Sequence, residues 1–556
     1  MTTKYGQLYN TRVTPQGEPV PGRQQVANSA GGYVFALDDW QRLERFLILG
    51  SDAPTYYASA RKLTLENADV VGRCLAADTA RAVSIIASVS AEGRAPRNDA
   101  ALFALAIAAA HTDPMARKLA FDALPTVART GEHLFQFVTY AQGLRGWGRG
   151  MRTAVGRWYT EKTVKELAYQ AIKYRQRHDW THRDLLRLAK PKPKSAAQDA
   201  LFHWITKGDI DAAAVEGVAL DGVVELGQVF AFEAARTAGM PELLKLIRDH
   251  RLTHEMLPTE ALGEAAVWNA LLDDMPMTAM IRNLGRMTAN GALTVGNAAT
   301  GLVVERLSQA ERLRRARVHP LGVLVALNTY QSGKGAKGNL TWEPVPAIVD
   351  ALDGAFYSAF GAVEPTGKRL MLALDVSGSM AIGEIAGMTG VTPRVGSAAM
   401  AMVTLAAEKS AHVVGFTSTT GKLLYVHNFR DPRLTGLTPL DISPRRRVDD
   451  VVRSISDIPF GATDCSLPMR HALEKGLEID AFVIYTDNET WSGTMHPFQA
   501  LRQYRERTGI KARLIVVGMT ATGFTIADPT DAGMLDVVGF DTAAPNVMAD
   551  FIRGGA

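Results

Sequence analysis

Cysteine is nearly absent from this 556-residue chain. Only Cys74 and Cys465 occur, too few and too far apart for a disulfide framework or a cysteine zinc site, so a reducing cytoplasmic setting is expected. No apolar run approaches the roughly 20 residues that span a bilayer, and the opening MTTKYGQLYNTRVTPQGEPVPG lacks the apolar core of a signal peptide. Neither secretion nor a membrane partner is expected. A Walker loop is missing too: Gly-Lys occurs at Gly333-Lys334, Gly367-Lys368 and Gly421-Lys422, but no Ser or Thr follows at the required spacing. Acidic residues are scarce in one place. From Arg145 to Lys194 there are fourteen Lys/Arg and four Asp/Glu, an excess of ten in a chain of net charge +4, so the rest carries about −6.

At 556 residues the chain exceeds a usual single domain. Residues 1–30 are rich in Gly, Pro and polar side chains and read as an extended arm. From Asp38, a capping residue, apolar residues recur at spacings of three and four, predicting helices at 66–90, 99–110, 115–130 and 132–140, then 241–249, 260–272, 277–287, 303–317 and 346–360. Short breaks such as His111-Thr112-Asp113-Pro114 separate them. Helices of this length on short connectors predict a mainly α, HEAT-like α-solenoid, although no strict sequence period is present and an irregular bundle has the same signature.

After Pro365-Thr366-Gly367 strands and helices alternate, predicting a doubly wound, Rossmann-like α/β sheet over 366–556, with 1–365 as the helical domain. The stretch KRLMLALDVSGSM organises this half. Leu370–Leu374 is unbroken apolar sequence, as in a strand buried on both faces of a parallel sheet, and Asp375, Ser377 and Ser379 follow at i, i+2, i+4. A carboxylate and two hydroxyls are hard oxygen donors suited to Mg²⁺. By itself Asp-x-Ser-x-Ser also describes a cap and two turn serines. Two further loops end in oxygen donors: Gly461-Ala462-Thr463-Asp464, and Thr486-Asp487-Asn488-Glu489 after the apolar run Ala481–Tyr485. This order resembles the metal-ion-dependent adhesion site (MIDAS) of von Willebrand factor A domains. That resemblance implies Asp375, Ser377, Ser379, Thr463 and Asp487 as ligands of a divalent cation, with one position open to a partner's acidic group.

Within the basic segment, Arg149 and Arg152 lie near a helix start at Gly150. Lys173 and Arg177 are four apart, and Arg183, Arg187 and Lys190 recur at four and three, each set predicted on one helix face. Like charges so placed repel, and a polyanion is the natural compensation. Trp147, Tyr174 and Trp180 are interleaved with them; such aromatics stack on bases or, more commonly, pack in a core. Arg445-Arg446-Arg447 follows Ser443-Pro444, a predicted helix start.

The stretches GWGRGMRTAVGRWY, KYRQRHDWTHRDLLRLAKPKP, RNLGRMTANG, RVHPLGVLVALNTY and EPTGKRLMLALDVSGSM resemble, in order and across both halves, the Ro autoantigen family of TROVE-domain RNA-binding proteins. The resemblance implies a monomeric ring of HEAT-like helices whose ends a von Willebrand domain joins. It also implies small non-coding Y-like RNA on the basic outer face, and 3′ ends of misfolded RNA in the central hole. An exoribonuclease such as polynucleotide phosphorylase is an expected partner. Lys173, Arg177, Arg183, Arg187 and Lys190 become outer-face candidates, with Arg149 and Arg152 at the ring. No catalysis is expected. The rival expectation is a cytoplasmic interaction scaffold whose metal captures an acidic partner.

Overall fold

The structure, a computed structural model, describes residues 13–50, 68–210, 218–335, 339–360, 363–383, 385, 391–417, 436–440, 442–443, 446–456, 462–520 and 522–554. Its strands are β1 (Val26–Ala27), β2 (Tyr33–Ala36), β3 (Gln176–Arg177), β4 (Trp180–Thr181), β5 (Leu370–Asp375), β6 (Ala411–Phe416), β7 (Leu437–Pro439), β8 (Ala481–Thr486), β9 (Arg513–Gly518), β10 (Phe524–Thr525) and β11 (Met534–Val538). The sequence also predicts a strand at Leu423–Val426, and those residues lie outside the described ones.

The helical half begins where the sequence places a cap. Asp38 Oδ1 accepts from the Gln41 amide at 2.8 Å, and Gln41 returns the bond to complete a capping box for Asp39–Leu49. Helix Asp99–Ala110 is buried nearly all round, as its Ala/Leu/Phe sequence requires. Alternate helices stack: Thr79–Glu92 on Pro114–Val127, that on Arg149–Thr160, and that on His182–Ala189, with Asp99–Ala110 on Gly131–Leu144 in the other layer. Contact between every second element is the geometry of stacked helix pairs. Three predicted helices are divided, one of them 260–272, which is a 3-10 turn at Glu260–Gly263 followed by the helix Ala265–Leu272. The 66–90 segment breaks at Asp78, which ends one helix and caps the next through the Arg81 amide, and 303–317 breaks at Gln309. At Asp78 a polar side chain that bonds its own backbone competes with helix continuation, and periodicity alone does not register that.

The C-terminal half is a six-stranded sheet in the order β11-β9-β8-β5-β6-β7, parallel except for β7. The chain leaves β5 toward β6 and later returns to β8 on the other side, so the strand order reverses between β5 and β8. Ligand crevices open at the carboxyl ends of such a pair. All six residues of β5 and of β8 are buried. Alternate side chains divide between two cores: Leu370, Leu372 and Leu374 join the core continuous with the helical half, whereas Met371 and Ala373 face a second core beneath Leu467–Glu474 and Pro497–Thr508.

The N-terminal arm departs from the division at 365. Residues 13–36 pack on the α/β domain: Val20, Val34 and Phe35 enter the second core, and Phe35 meets Phe498 edge to face at 5.5 Å. β2 pairs antiparallel with β1 and β10, so this three-stranded sheet draws on both ends of the chain.

The helical succession closes on itself. Arg317 donates to the Ala91 carbonyl at 2.7 Å, and His319 Nε2 bonds the Phe540 and Arg94 carbonyls at 2.9 and 3.2 Å. The α/β domain binds both ends of the helical half. Arg45 of the first helix pairs with Asp536 at 2.6 Å, Arg94 forks onto Asp541, and Arg447 pairs with Asp350 of the last helix at 2.9 Å. The basic triplet thus has a structural partner. The helix read from sequence at Val448–Ser456 is present with those bounds, so Ser443 is not its cap, and Pro444 and Arg445 lie outside the described residues.

Candidate metal centre and nucleic-acid interface

Three loops meet at the carboxyl edge of β5 and β8. The first follows Asp375, whose Oδ1 accepts from the Ser377 amide at 2.9 Å in a tight turn that brings the Ser377 and Ser379 hydroxyls within 3.1 Å of each other. Thr486 at the end of β8 donates to Asp375 Oδ2 at 2.7 Å, tying the first loop to the third. Asp487, next in sequence, is held by Ser379 and by the Glu489 amide. Thr463 on the second loop is buried, and its carbonyl accepts from the Trp491 and Ser492 amides at 3.2 Å. The structure therefore brings Asp375, Ser377, Ser379 and Asp487 together directly, and anchors Thr463 to the loop that carries Asp487.

Electrostatics at this edge call for a positive charge. Burial, then the negative charge of Asp487, pushes the Asp375 carboxyl well above the usual carboxylate range against hydrogen bonds from Ser377 and Thr486. Burial also raises Asp487. Two buried carboxylates acting on each other are expensive unless a proton or a cation lies between them. The fixed cation nearest the first loop, Arg394, donates to the Val376 and Ser377 carbonyls at 2.8 and 3.1 Å, behind the loop. Two carboxylates and three hydroxyls fit a hard divalent cation that retains water ligands. Among the described residues no cluster of three His, Cys, Asp or Glu side chains forms a metal cage, so hydroxyl donors are essential to this reading.

The basic segment resolves into different roles. Arg149 and Arg152 are exposed in the first turns of Arg149–Thr160. Arg183 and Arg187 are exposed on helix His182–Ala189, and Lys190 follows as its left-handed cap at φ 48°. None of these five has an ion-pair partner among the described residues. Two of the four acidic residues of the segment serve caps: Glu166 closes a box with Thr163, and Asp184 one with Thr181.

Lys173 and Arg177 do not share a helix face. The helix ends at Lys173, and Arg177 lies on hairpin strand β3, exposed, because left-handed His178 and Asp179 turn the chain toward β4. Lys173 is half-buried, donates to Tyr169 Oη at 3.1 Å and lies over the Tyr169 and Tyr174 rings. The aromatics are chiefly structural: Trp147 and Trp180 meet edge to face at 6.3 Å, partly buried against the core. Arg145 bonds the Ala110 and His111 carbonyls.

Comparison with known proteins gives a consistent result. The family model described as Ro60 vWA domain matches residues 369–552, and the TROVE domain model matches 26–214 and 237–329. A Deinococcus radiodurans protein named RNA-binding protein RO60 is 43% identical over 543 residues, covering 97% of each chain. The chain belongs to the Ro60 family. A Caenorhabditis elegans protein of the same name is 39% identical over 98% of this chain and 92% of its own. The crystal structure of the Deinococcus radiodurans RO (RSR) protein matches 93% of this chain and all of its own, with 41% identity and a TM-score of 0.66.

In this Ro60-family chain the basic face extends beyond the residues read from sequence. A cleft of about 310 Å³ between hairpin β3–β4 and the following helices is lined by Arg175, Arg183, Lys207 and Arg236, with Glu233 the acidic residue on its wall. Lys207 and Arg236 lie on or beside helices distant in sequence, so no local spacing exposes them. Arg175, adjacent to Tyr174 in the same basic run, was legible as a charge, and its position over the Phe232 ring belongs to the fold.

Proposed function

We propose that this protein is a non-catalytic RNA-binding ring that forms a ribonucleoprotein with a small Y-like non-coding RNA. It would receive 3′ ends of misfolded or immature RNAs for quality control or maturation. The coarser statement, membership of a family whose curated relatives are named RNA-binding proteins, rests on the comparisons above. The observation that carries the finer reading is the set of exposed cations Arg149, Arg152, Arg183, Arg187 and Lys190, without ion-pair partners among the described residues, in a segment whose few acids are partly occupied by caps. Phosphates neutralise such a face, and single-stranded ends add base contacts. In this reading the protein is a cytoplasmic monomer, with an exoribonuclease such as polynucleotide phosphorylase as partner, and a divalent cation, Mg²⁺, occupies the five-residue oxygen site.

The test is the RNA that co-purifies from native cells with the unaltered protein and with Arg183→Glu/Arg187→Glu/Lys190→Glu. A discrete small RNA lost from the variant supports the reading; no enriched RNA with either protein sinks it.

A second role, capture of an acidic partner through the metal, is favoured by exposed Ile382 and Trp491 on the first and third loops. Loss of a protein partner from Asp375→Ala with RNA retained would establish it. Retention of every partner would remove it.

A further inference from the structure

The third loop holds a carboxylate outside the five-residue ligand set. Glu489 is 4% exposed and two residues from Asp487. Its Oε2 accepts from the Ala30 amide at 3.0 Å, with Ser29 alongside, but Oε1 is buried and has no hydrogen-bond partner. A buried carboxylate with one oxygen satisfied and the other bare is costly, and here the Asp487 charge adds to the cost. The Ala30 amide accounts for Oε2.

The arm grips this loop at several points. Asn28 donates to the Asn488 and Thr490 carbonyls at 3.3 and 2.8 Å, while its own oxygen accepts from the Gly32 amide at 2.7 Å. Gln16 bonds Thr490 Oγ1, and donates to Asp464 Oδ1 at 2.7 Å and to the Met495 carbonyl at 2.8 Å, so it joins the second loop to the third. Contact is too close for larger residues: a Cβ on Gly32 would lie 1.8 Å from the Thr490 carbonyl oxygen, and one on Gly493 would lie 2.1 Å from the Gln16 amide nitrogen. Asn488 between the two carboxylates adopts φ 66°, a conformation that needs surrounding support.

We propose that Glu489 is a third carboxylate of the metal centre, accepting hydrogen bonds from the cation's coordinated water, and that the N-terminal arm is the element that holds it there. The inference rests on the metal reading above. Mg²⁺ keeps several waters, and those waters need buried acceptors of the kind Oε1 offers. Metal occupancy and arm docking are then linked, each strengthening the other by the same factor.

Mg²⁺ binding to the full chain is measured by calorimetry for the unaltered protein, Glu489→Gln, Asn28→Ala and Asp375→Ala. Hydrogen exchange of residues 14–35 is followed with and without Mg²⁺. Glu489→Gln and Asn28→Ala should weaken Mg²⁺ about ten- to a hundred-fold, as loss of an outer-shell partner does. Mg²⁺ should slow exchange in the arm of the unaltered protein and not of Asp375→Ala. Binding abolished by Asp375→Ala but within two-fold of normal in Glu489→Gln, with arm exchange indifferent to Mg²⁺, overturns this proposal and leaves the metal site standing. No Mg²⁺ binding by the unaltered chain overturns both. Should Glu489→Gln fail to fold, the exchange measurement on the unaltered protein decides.

Discussion

At the scale of single residues, charge placement separates cations that hold the molecule together from cations available to a polyanion. Arg45 and Asp536 are almost wholly buried, at 2% and 6% side-chain exposure, and the guanidinium also donates to the Thr522 carbonyl at 2.8 Å. Arg45→Ala leaves Asp536 without its partner and should cost about 3–5 kcal/mol, read as a lowered denaturation midpoint. Arg45→Met/Asp536→Leu removes both charges and should cost less; an equal or larger loss would mean that the pair itself is net stabilising. Lys173 belongs to the same structural group. Lys173→Met should keep RNA affinity within about two-fold, since the ammonium faces two tyrosines, while Arg187→Met should weaken binding and reduce the salt slope by about one. Equal effects of the two changes on RNA would reject this division.

At the scale of elements, the helix His182–Ala189 depends on its start. Thr181 and Asp184 form a reciprocal capping box, and Thr181→Ala should cost about 1 kcal/mol. That loss would loosen the turn presenting Arg183, so RNA affinity should fall although no phosphate contact is removed. A melting curve and a binding isotherm on the same variant check both halves. Helix boundaries were legible where a cap and a period coincide, as at Asp38. They were not legible at Asp78, where a polar side chain ends one helix and starts the next. The inferred face of Lys173 and Arg177 failed because periodicity extrapolates past a helix end: the helix stops at Lys173 with Tyr174 as its cap, and Arg177 lies on the hairpin that follows.

For the whole molecule, one neutral imidazole is among the contacts that close it. His319 accepts from the Leu321 amide through Nδ1 and bonds the Phe540 carbonyl through Nε2, so it joins the helical half to the α/β domain as a neutral tautomer. Burial, opposed by those carbonyl bonds and by Asp541, holds its pKa down to about 4, below the roughly 6.5 of an unfolded histidine. Above that value both states are neutral and the group contributes no pH dependence. As pH falls from about 6.5 toward 4 the unfolded chain takes the proton first, so stability declines with acidity across this window. Thermal melts between pH 7 and 4.5 should show the decline in the unaltered protein and a shallower one in His319→Asn. Parallel profiles would clear His319 of the role.

The sequence by itself determined the two-part architecture, the buried strands β5 and β8, and a basic segment with few acids. Each is a local matter: hydrophobic period, run length and charge count act over a few to fifty residues. The oxygen donors were legible on three loops, two of them at the carboxyl ends of buried strands, where the switch from apolar run to polar residues is its own signature. Only the tertiary structure decided the rest. It placed Thr486 on Asp375, put the arm on the α/β domain instead of the helices, brought Lys207 and Arg236 to the cleft beside Arg183, and left one oxygen of Glu489 bare beneath the arm. Those contacts join residues tens to hundreds of positions apart, and sequence spacing carries no information about which distant surfaces bury each other.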